Sequence, residues 1–126
     1  MALFSLGIIQ PLISITHSSN THTVDFSKSG NNYSISATNA TNTIAFSGLA
    51  AGLIGKSGTI LITNPSSAGS LGFASLPSTA YTPGGTSISF NTDANGIAVI
   101  SYFIIASNKV LINYVSGFDS YGSNDP

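Results

Sequence analysis

The chain has 126 residues, enough for one domain with a core of its own, and it has no Cys, which excludes disulfides, thiolate metal sites and a thiol nucleophile. Only 6% of the residues are charged, there is no Arg or Glu, and the net charge is −1, so the clustered basic side chains that nucleic-acid binding requires are missing. The polar surface must come from 22 Ser, 12 Thr and 11 Asn residues, and so little charge repulsion between copies favours a protein that works inside an assembly.

Residues 1–20 are a largely apolar segment that Gln10 and Pro11 interrupt. The segment lacks the basic residues that open a secretory signal and is too short for a membrane span, so we expect no membrane partner. The gain from burying its apolar side chains roughly cancels the entropic cost of ordering it, so it must also pair as a strand. It could be the first strand of its own domain or an extended arm on a neighbouring subunit. The residues expected to make these contacts are Leu3, Phe4, Leu6, Ile8, Ile9, Leu12 and Ile13.

From residue 21 onward, short segments alternate apolar and hydroxyl-bearing side chains with the period of a β-strand. These segments read HTVDF, YSISA, TIAFS, GTILIT and SISFN, and they are separated by turn-forming sequences such as SGNN, TNATN, NPSSAG, TPGG and DANG. Helical patterns are almost absent. The pattern predicts an all-β protein, namely an antiparallel, jelly-roll-like β-sandwich over residues 21–118, with an N-terminal extended arm and a C-terminal tail over residues 119–126.

Two later segments are apolar on both faces, GIAVISYFIIAS at residues 96–107 and KVLINYV at residues 109–115. Ser107 and Asn108 between them predict a tight hairpin turn, because Asn tolerates a positive φ. A strand that is apolar on both faces must be covered on both. One cover is the domain's core, and the other is a subunit partner or the N-terminal segment, unless the strand lies centrally in a thick monomeric core. The residues expected to contact a partner are Ile100, Tyr102, Ile104, Leu111 and Val115.

The sequence contains no convincing catalytic or metal-binding motif. No G-x-S-x-G sequence is present, and the few Asp residues do not suggest a catalytic pair. His17 and His22 are five residues apart, which on one strand would place them on opposite faces and disfavour a shared metal. The sequence NTDANG at residues 91–96 matches half of an EF-hand loop, but a turn from Asp93 to a positive-φ Gly96 explains it better. We therefore expect no enzyme activity, no cofactor and no metal.

Several short motifs occur within about residues 44–118, at Gly48, Leu49, Gly52, Ser57, Gly58, Thr59, Ile60, Ile62, Gly84, Gly85, Gly96, Ile100, Ser101, Tyr102, Phe103, Gly117 and Phe118. These motifs resemble a β module found in structural proteins of tailed bacteriophages, especially marine and cyanobacterial phages. The module usually carries a Trp before the Gly-Gly pair, whereas this chain has Phe73 and Tyr81 in that segment.

The resemblance implies a virion structural protein with a β-sandwich fold that is often trimeric. Such modules occur in head-decoration proteins and in tail fibres, and a chain of 126 residues is short for a fibre shaft. We therefore expect a decoration, or cement, protein on the capsid surface that binds the major capsid protein and its own copies through apolar and backbone contacts. The alternative is a receptor-binding module of a tail fibre or spike that contacts host surface glycan.

Overall fold

The computed structural model describes residues 11–122, and in that range it is built from β-strands and two single 3₁₀ turns, Ala51–Leu53 and Pro83–Gly85. The predicted all-β class is therefore confirmed. The nine strands are β1 Leu12–Ser14, β2 Thr21–Asp25, β3 Asn32–Ser36, β4 Thr41–Ser47, β5 Ser57–Thr63, β6 Gly72–Phe73, β7 Ala80–Tyr81, β8 Ile97–Ala106 and β9 Lys109–Ser116.

The strands form two sheets, a six-stranded one in the order β1-β3-β5-β8-β9-β7 and a three-stranded one in the order β2-β4-β6. From β1 to β6 the chain alternates between the two sheets, and each strand pairs in parallel with the strand two places earlier. This is the winding of a two-sided parallel β-helix. Among the nine described strands, β5 with β8 and β8 with β9 pair antiparallel, and the other five pairs are parallel. The prediction of an antiparallel arrangement is therefore wrong for most of the described strand pairs, and the jelly-roll connectivity is not confirmed.

The β8–β9 hairpin has the predicted two-residue turn at Ser107 and Asn108, flanked by the pair Ala106 and Lys109. Neither turn residue has a positive φ, so the reason we gave for this turn is wrong. Instead, the register shifts by one residue between Ile104 and Ala106. Such a bulge adds local twist, which a turn without positive φ does not supply.

Residues 87–91, predicted as a strand, have no strand structure. Their backbone is held by side chains instead of by a sheet: the Asn91 N–H donates to the Tyr114 hydroxyl at 2.9 Å, and the Asn64 amide donates to the Asn91 carbonyl at 2.8 Å. The turn that follows is confirmed by the 3.0 Å bond from the Gly96 N–H to the Asp93 carbonyl. Its positive φ of 58° belongs to Asn95 and not to Gly96.

One hydrophobic cluster lies between the two sheets and takes the inward side chains of both. Phe26 is at its centre, with its ring centroid 5.9 Å from Tyr33, 5.1 Å from Phe46 and 5.0 Å from Tyr102. The buried members are Val24, Phe26, Tyr33, Ile35, Ile44, Ile60, Ile62, Ala98, Ile100, Tyr102, Ile104, Val110 and Ile112. The period-two pattern therefore located the inward residues of β2, β3, β4 and β5 correctly.

The start of the described chain belongs to this domain. Strand β1 pairs with β3, and Ile13 and Ile15 pack against the core, so residues 12–14 are a first strand of their own sheet. Of the residues predicted to form an arm, Leu3, Phe4, Leu6, Ile8 and Ile9 lie outside the described residues.

Gly58 allows two parts of the fold to approach closely. It lies opposite Tyr102 in the β5–β8 register, and the Asn31 carbonyl lies against its Cα. That carbonyl accepts hydrogen bonds from the Tyr102 hydroxyl at 2.7 Å and from the Thr59 N–H at 3.3 Å. A Cβ at position 58 would collide with the Asn31 carbonyl oxygen, a backbone atom that cannot rotate away.

We expect Gly58→Ala to lower the free energy of unfolding by about 2–3 kcal/mol, because the collision forces backbone apart in a packed region. Gly52→Ala is the matched control, since a Cβ at Gly52 meets nothing within 4 Å. That change should be neutral or stabilise the protein by less than about 1 kcal/mol. Urea denaturation of both variants measures the difference, and equal effects would refute the close-approach argument.

Candidate functional site

The most distinctive surface of the described chain is an apolar face on the outside of the six-stranded sheet. Its side chains alternate with the buried residues of the same strands. We call this surface the outer face and define it as Leu61, Tyr81, Ile97, Val99, Phe103, Ile105, Leu111 and Val115. Six of the eight expose large apolar side chains, from 38% for Ile97 to 51% for Val115.

Strand register arranges the outer face in rows. Val99 pairs with Leu61 on one side and with Val115 on the other, which gives one apolar row. Phe103 pairs with Leu111, and Leu111 with Tyr81, which gives a second row. A row of Thr59, Ser101 and Asn113 separates the two. The face therefore offers two apolar ridges about 13 Å apart, with hydroxyl and amide groups between them.

The predicted partner contacts divide between the two sides of the sheet. Leu111 and Val115 belong to the outer face, and they are 41% and 51% exposed. Ile100, Tyr102 and Ile104 are buried in the chain's own core, so the expectation that they contact a partner is wrong.

The reason for that error is that β8 is largely apolar on both sides, so the sequence distinguishes the two sides only weakly. Ile97, Phe103 and Ile105 are the exposed residues of β8 that the sequence analysis left out of the contact set. A usable signal was the hydroxyl of Ser101, which interrupts their side of the strand and marks it as the more polar one. On β1, Leu12 is 52% exposed and Ile13 is half-buried.

Charged groups are few around the outer face. The Lys109 ammonium lies 5.7 Å from the centroid of the Tyr81 ring, at the edge of the face. Lys56, by contrast, is a structural residue: its ammonium donates to the carbonyls of Phe26 at 2.7 Å and Lys28 at 3.0 Å, and to the Tyr33 hydroxyl at 3.2 Å. These bonds tie the segment after β2 to the start of β5, and burial lowers the pKa of Lys56.

The two histidines lie together, contrary to the sequence prediction. Ser19 and Asn20 have positive φ values of 49° and 64°, and the resulting tight bend brings the His17 and His22 ring centroids to 5.2 Å. The prediction failed because it assumed one continuous strand between them. Within residues 11–122, no group of three His, Asp or Glu side chains is placed to hold a metal ion.

His22 is fully buried and belongs to a polar cluster around Asn42. Its Nε2 lies 2.9 Å from the Asn42 Oδ1, which also accepts from the Thr38 N–H at 2.9 Å. Since an amide oxygen only accepts, Nε2 carries the proton and Nδ1 is a bare nitrogen. That Nδ1 is buried and has no hydrogen-bond partner among the described residues. Burial lowers the pKa of His22, the Asn42 bond opposes this shift, and His17 adds to it.

No helix within residues 11–122 is both long and apolar enough to cross a membrane. No protein-family model matches the chain, and comparisons with curated proteins and with solved structures found no match.

We expect the free energy of unfolding to fall as the pH drops below about 6.5, the pKa of a histidine in the unfolded chain. Because the pKa of His22 is lowered in the folded protein, the unfolded chain binds more protons in this range, and stability rises with pH. One proton limits the slope to about 1.4 kcal/mol per pH unit.

Urea denaturation between about pH 5 and about pH 8 measures this dependence. His22→Gln should flatten the profile, because it removes the titrating group from the buried position. His17→Gln is the matched control and should retain most of the slope, since His17 is exposed. A full slope in the His22→Gln variant would contradict the assignment.

Proposed function

We propose that this protein is a virion structural protein that decorates the capsid of a tailed phage and stabilises the shell as a cement protein. The observation that carries the proposal is the outer face, a large apolar surface on a chain with 6% charged residues. The partners are the major capsid protein and further copies of the chain in a homotrimer, and the location is the capsid surface. The two-layer fold then serves as a β-sandwich module, in keeping with the phage modules that the motifs resemble.

The size of the outer face supports an adhesive role. Its exposed apolar area is roughly 500 Å², which is at the upper end of the largest patches on ordinary monomers and is typical of functional ones. Burying that area contributes about 12 kcal/mol before the costs of association, which themselves come to about 4–15 kcal/mol. A single outer face therefore binds its partner with low affinity.

Multiplicity turns such modest contacts into stable binding. Three copies in a trimer present three outer faces, and once the first is bound, the others bind at a high effective concentration. The hydroxyl and amide row between the two ridges adds neutral hydrogen bonds. Because almost no charge is involved, the adhesion depends little on salt.

We expect the double variant Phe103→Thr, Leu111→Thr to bind shells assembled from the phage's major capsid protein at least about tenfold more weakly, because it removes the centre of one apolar ridge. Thr keeps the strand propensity of both positions. Sedimentation of shells with bound protein measures the affinity, and circular dichroism checks the fold.

Tyr121→Thr is the matched control, because Tyr121 is fully exposed and lies outside the outer face. It should bind as the unchanged protein does, and affinities at about 50 mM and about 500 mM NaCl should differ by less than about threefold. Normal shell binding by the double variant would refute the outer face as the contact. A handful of copies per virion, instead of hundreds, would refute the cement role itself.

Residues 1–10 are the proposed source of subunit contacts, because they carry Leu3, Phe4, Leu6, Ile8 and Ile9. We expect deletion of residues 1–10 to convert the trimer to a monomer while β1 and the core stay folded, since β1 begins at Leu12. Light scattering at micromolar concentration measures the mass. A trimer that persists after the deletion would show that these residues do not hold the subunits together.

A further inference from the structure

A second surface feature lies in the chain between β6 and β8, and none of the outer-face residues lines it. Residues 73–80 and 82–92 enclose an open cleft of about 610 Å³. That volume lies within the range of ligand-binding clefts, which is about 300–1,000 Å³. Neither the proposed cement role nor the core uses this cleft.

The lining of the cleft is rich in hydroxyl groups and has no charged side chain. The hydroxyl-bearing residues are Ser75, Ser78, Thr82, Thr86, Ser87, Ser89 and Thr92. The Thr82 hydroxyl donates to the Thr86 carbonyl at 2.6 Å. The side-chain hydroxyls of the other six make no hydrogen bond to any protein atom within residues 11–122, so they are available to a ligand.

The floor of the cleft is apolar and well supported. The Phe73 and Phe90 rings are stacked, with centroids 4.6 Å apart and planes at 23°. Phe90 in turn meets the edge of Tyr114 at 5.0 Å, and the Tyr114 hydroxyl is fixed by the Asn91 N–H at 2.9 Å. Leu76 and Ile88 pack against the core from the same segments. The aromatic floor is therefore held in place before any ligand arrives.

We propose that this cleft binds a neutral oligosaccharide. A neutral sugar offers hydroxyl groups that both donate and accept, which matches the free Ser and Thr hydroxyls, and apolar C–H faces, which match the phenyl floor. An anionic ligand would lack a cationic partner in the lining, and a cationic ligand would lack an anionic one. An apolar peptide would leave the cleft's hydroxyls unpaired on burial.

The test is an NMR titration of the ¹⁵N-labelled full chain with maltohexaose, cellohexaose and mannohexaose. A sulfated heparin hexasaccharide and a peptide of residues 2–9 serve as comparators. We expect at least one neutral hexasaccharide to shift the amide signals of residues 73–92 with a Kd on the order of 1 mM. Absence of shifts with all three at about 10 mM, equal binding of the sulfated sugar, or preferential occupation of the cleft by the peptide would each overturn the proposal.

The double variant Ser78→Ala, Ser89→Ala should raise the Kd for the sugar at least about fivefold, because it removes two free hydroxyls. Ser36→Ala, Ser101→Ala is the matched control, since both serines are exposed on sheet strands outside the cleft. Unchanged affinity in the first variant would overturn the assignment of the cleft. The Phe103→Thr, Leu111→Thr variant should keep full sugar binding, which separates this proposal from the cement role.

Discussion

The pairing of β5 with β8 is the contact on which the rest of the structure depends. Strand β5 is the last of the three parallel strands in the larger sheet, and along its other edge it pairs antiparallel with β8 over its whole length, from Ser57 to Thr63. After β6 the chain no longer alternates between the two sheets, and β8 and β9 form a hairpin within the larger sheet. Gly58 lies within this pairing, where its missing side chain leaves room for the Asn31 carbonyl. The core and the outer face are the two sides of the sheet that this pairing joins.

The sequence was informative about strands and much less so about how they pair. Period-two alternation located β2, β3, β4 and β5 because each has one clearly polar side. The same alternation occurs in parallel and antiparallel strands, so it could not reveal that the chain winds between two sheets. The same alternation predicted a strand at residues 87–91, which does not form. Ile88 and Phe90 alternate with polar residues, but side chains such as Asn64 hold this backbone outside any sheet.

For the candidate site, the sequence indicated that β8 and β9 need a second cover but not which side of β8 is external. The answer follows from the hairpin register, which places Ile104 opposite the buried Val110 and Phe103 opposite the exposed Leu111. The local sign of that choice is a single residue, Ser101 on the outward side, because both sides of β8 are otherwise apolar. The hydroxyl cleft was equally hidden, since its lining comes from irregular chain that only the folded structure brings together.

The order in which the strands follow one another along the chain also limits when the outer face can exist. One ridge joins Leu61 of β5 to residues of β8 and β9, and the other joins Tyr81 of β7 to the same two strands. Strand β8 begins 34 positions after β5 ends, at Ile97 as against Thr63. During synthesis, residues of β5 leave the ribosome before those of β8 and β9, so the outer face can form only after the final hairpin has been made and has docked against β5. Until β8 and β9 dock, the edge of β5 has no partner, and the inward side chains of the earlier strands lack the cover that Ile100, Tyr102 and Ile104 provide. The same docking step therefore completes the core and creates the outer face.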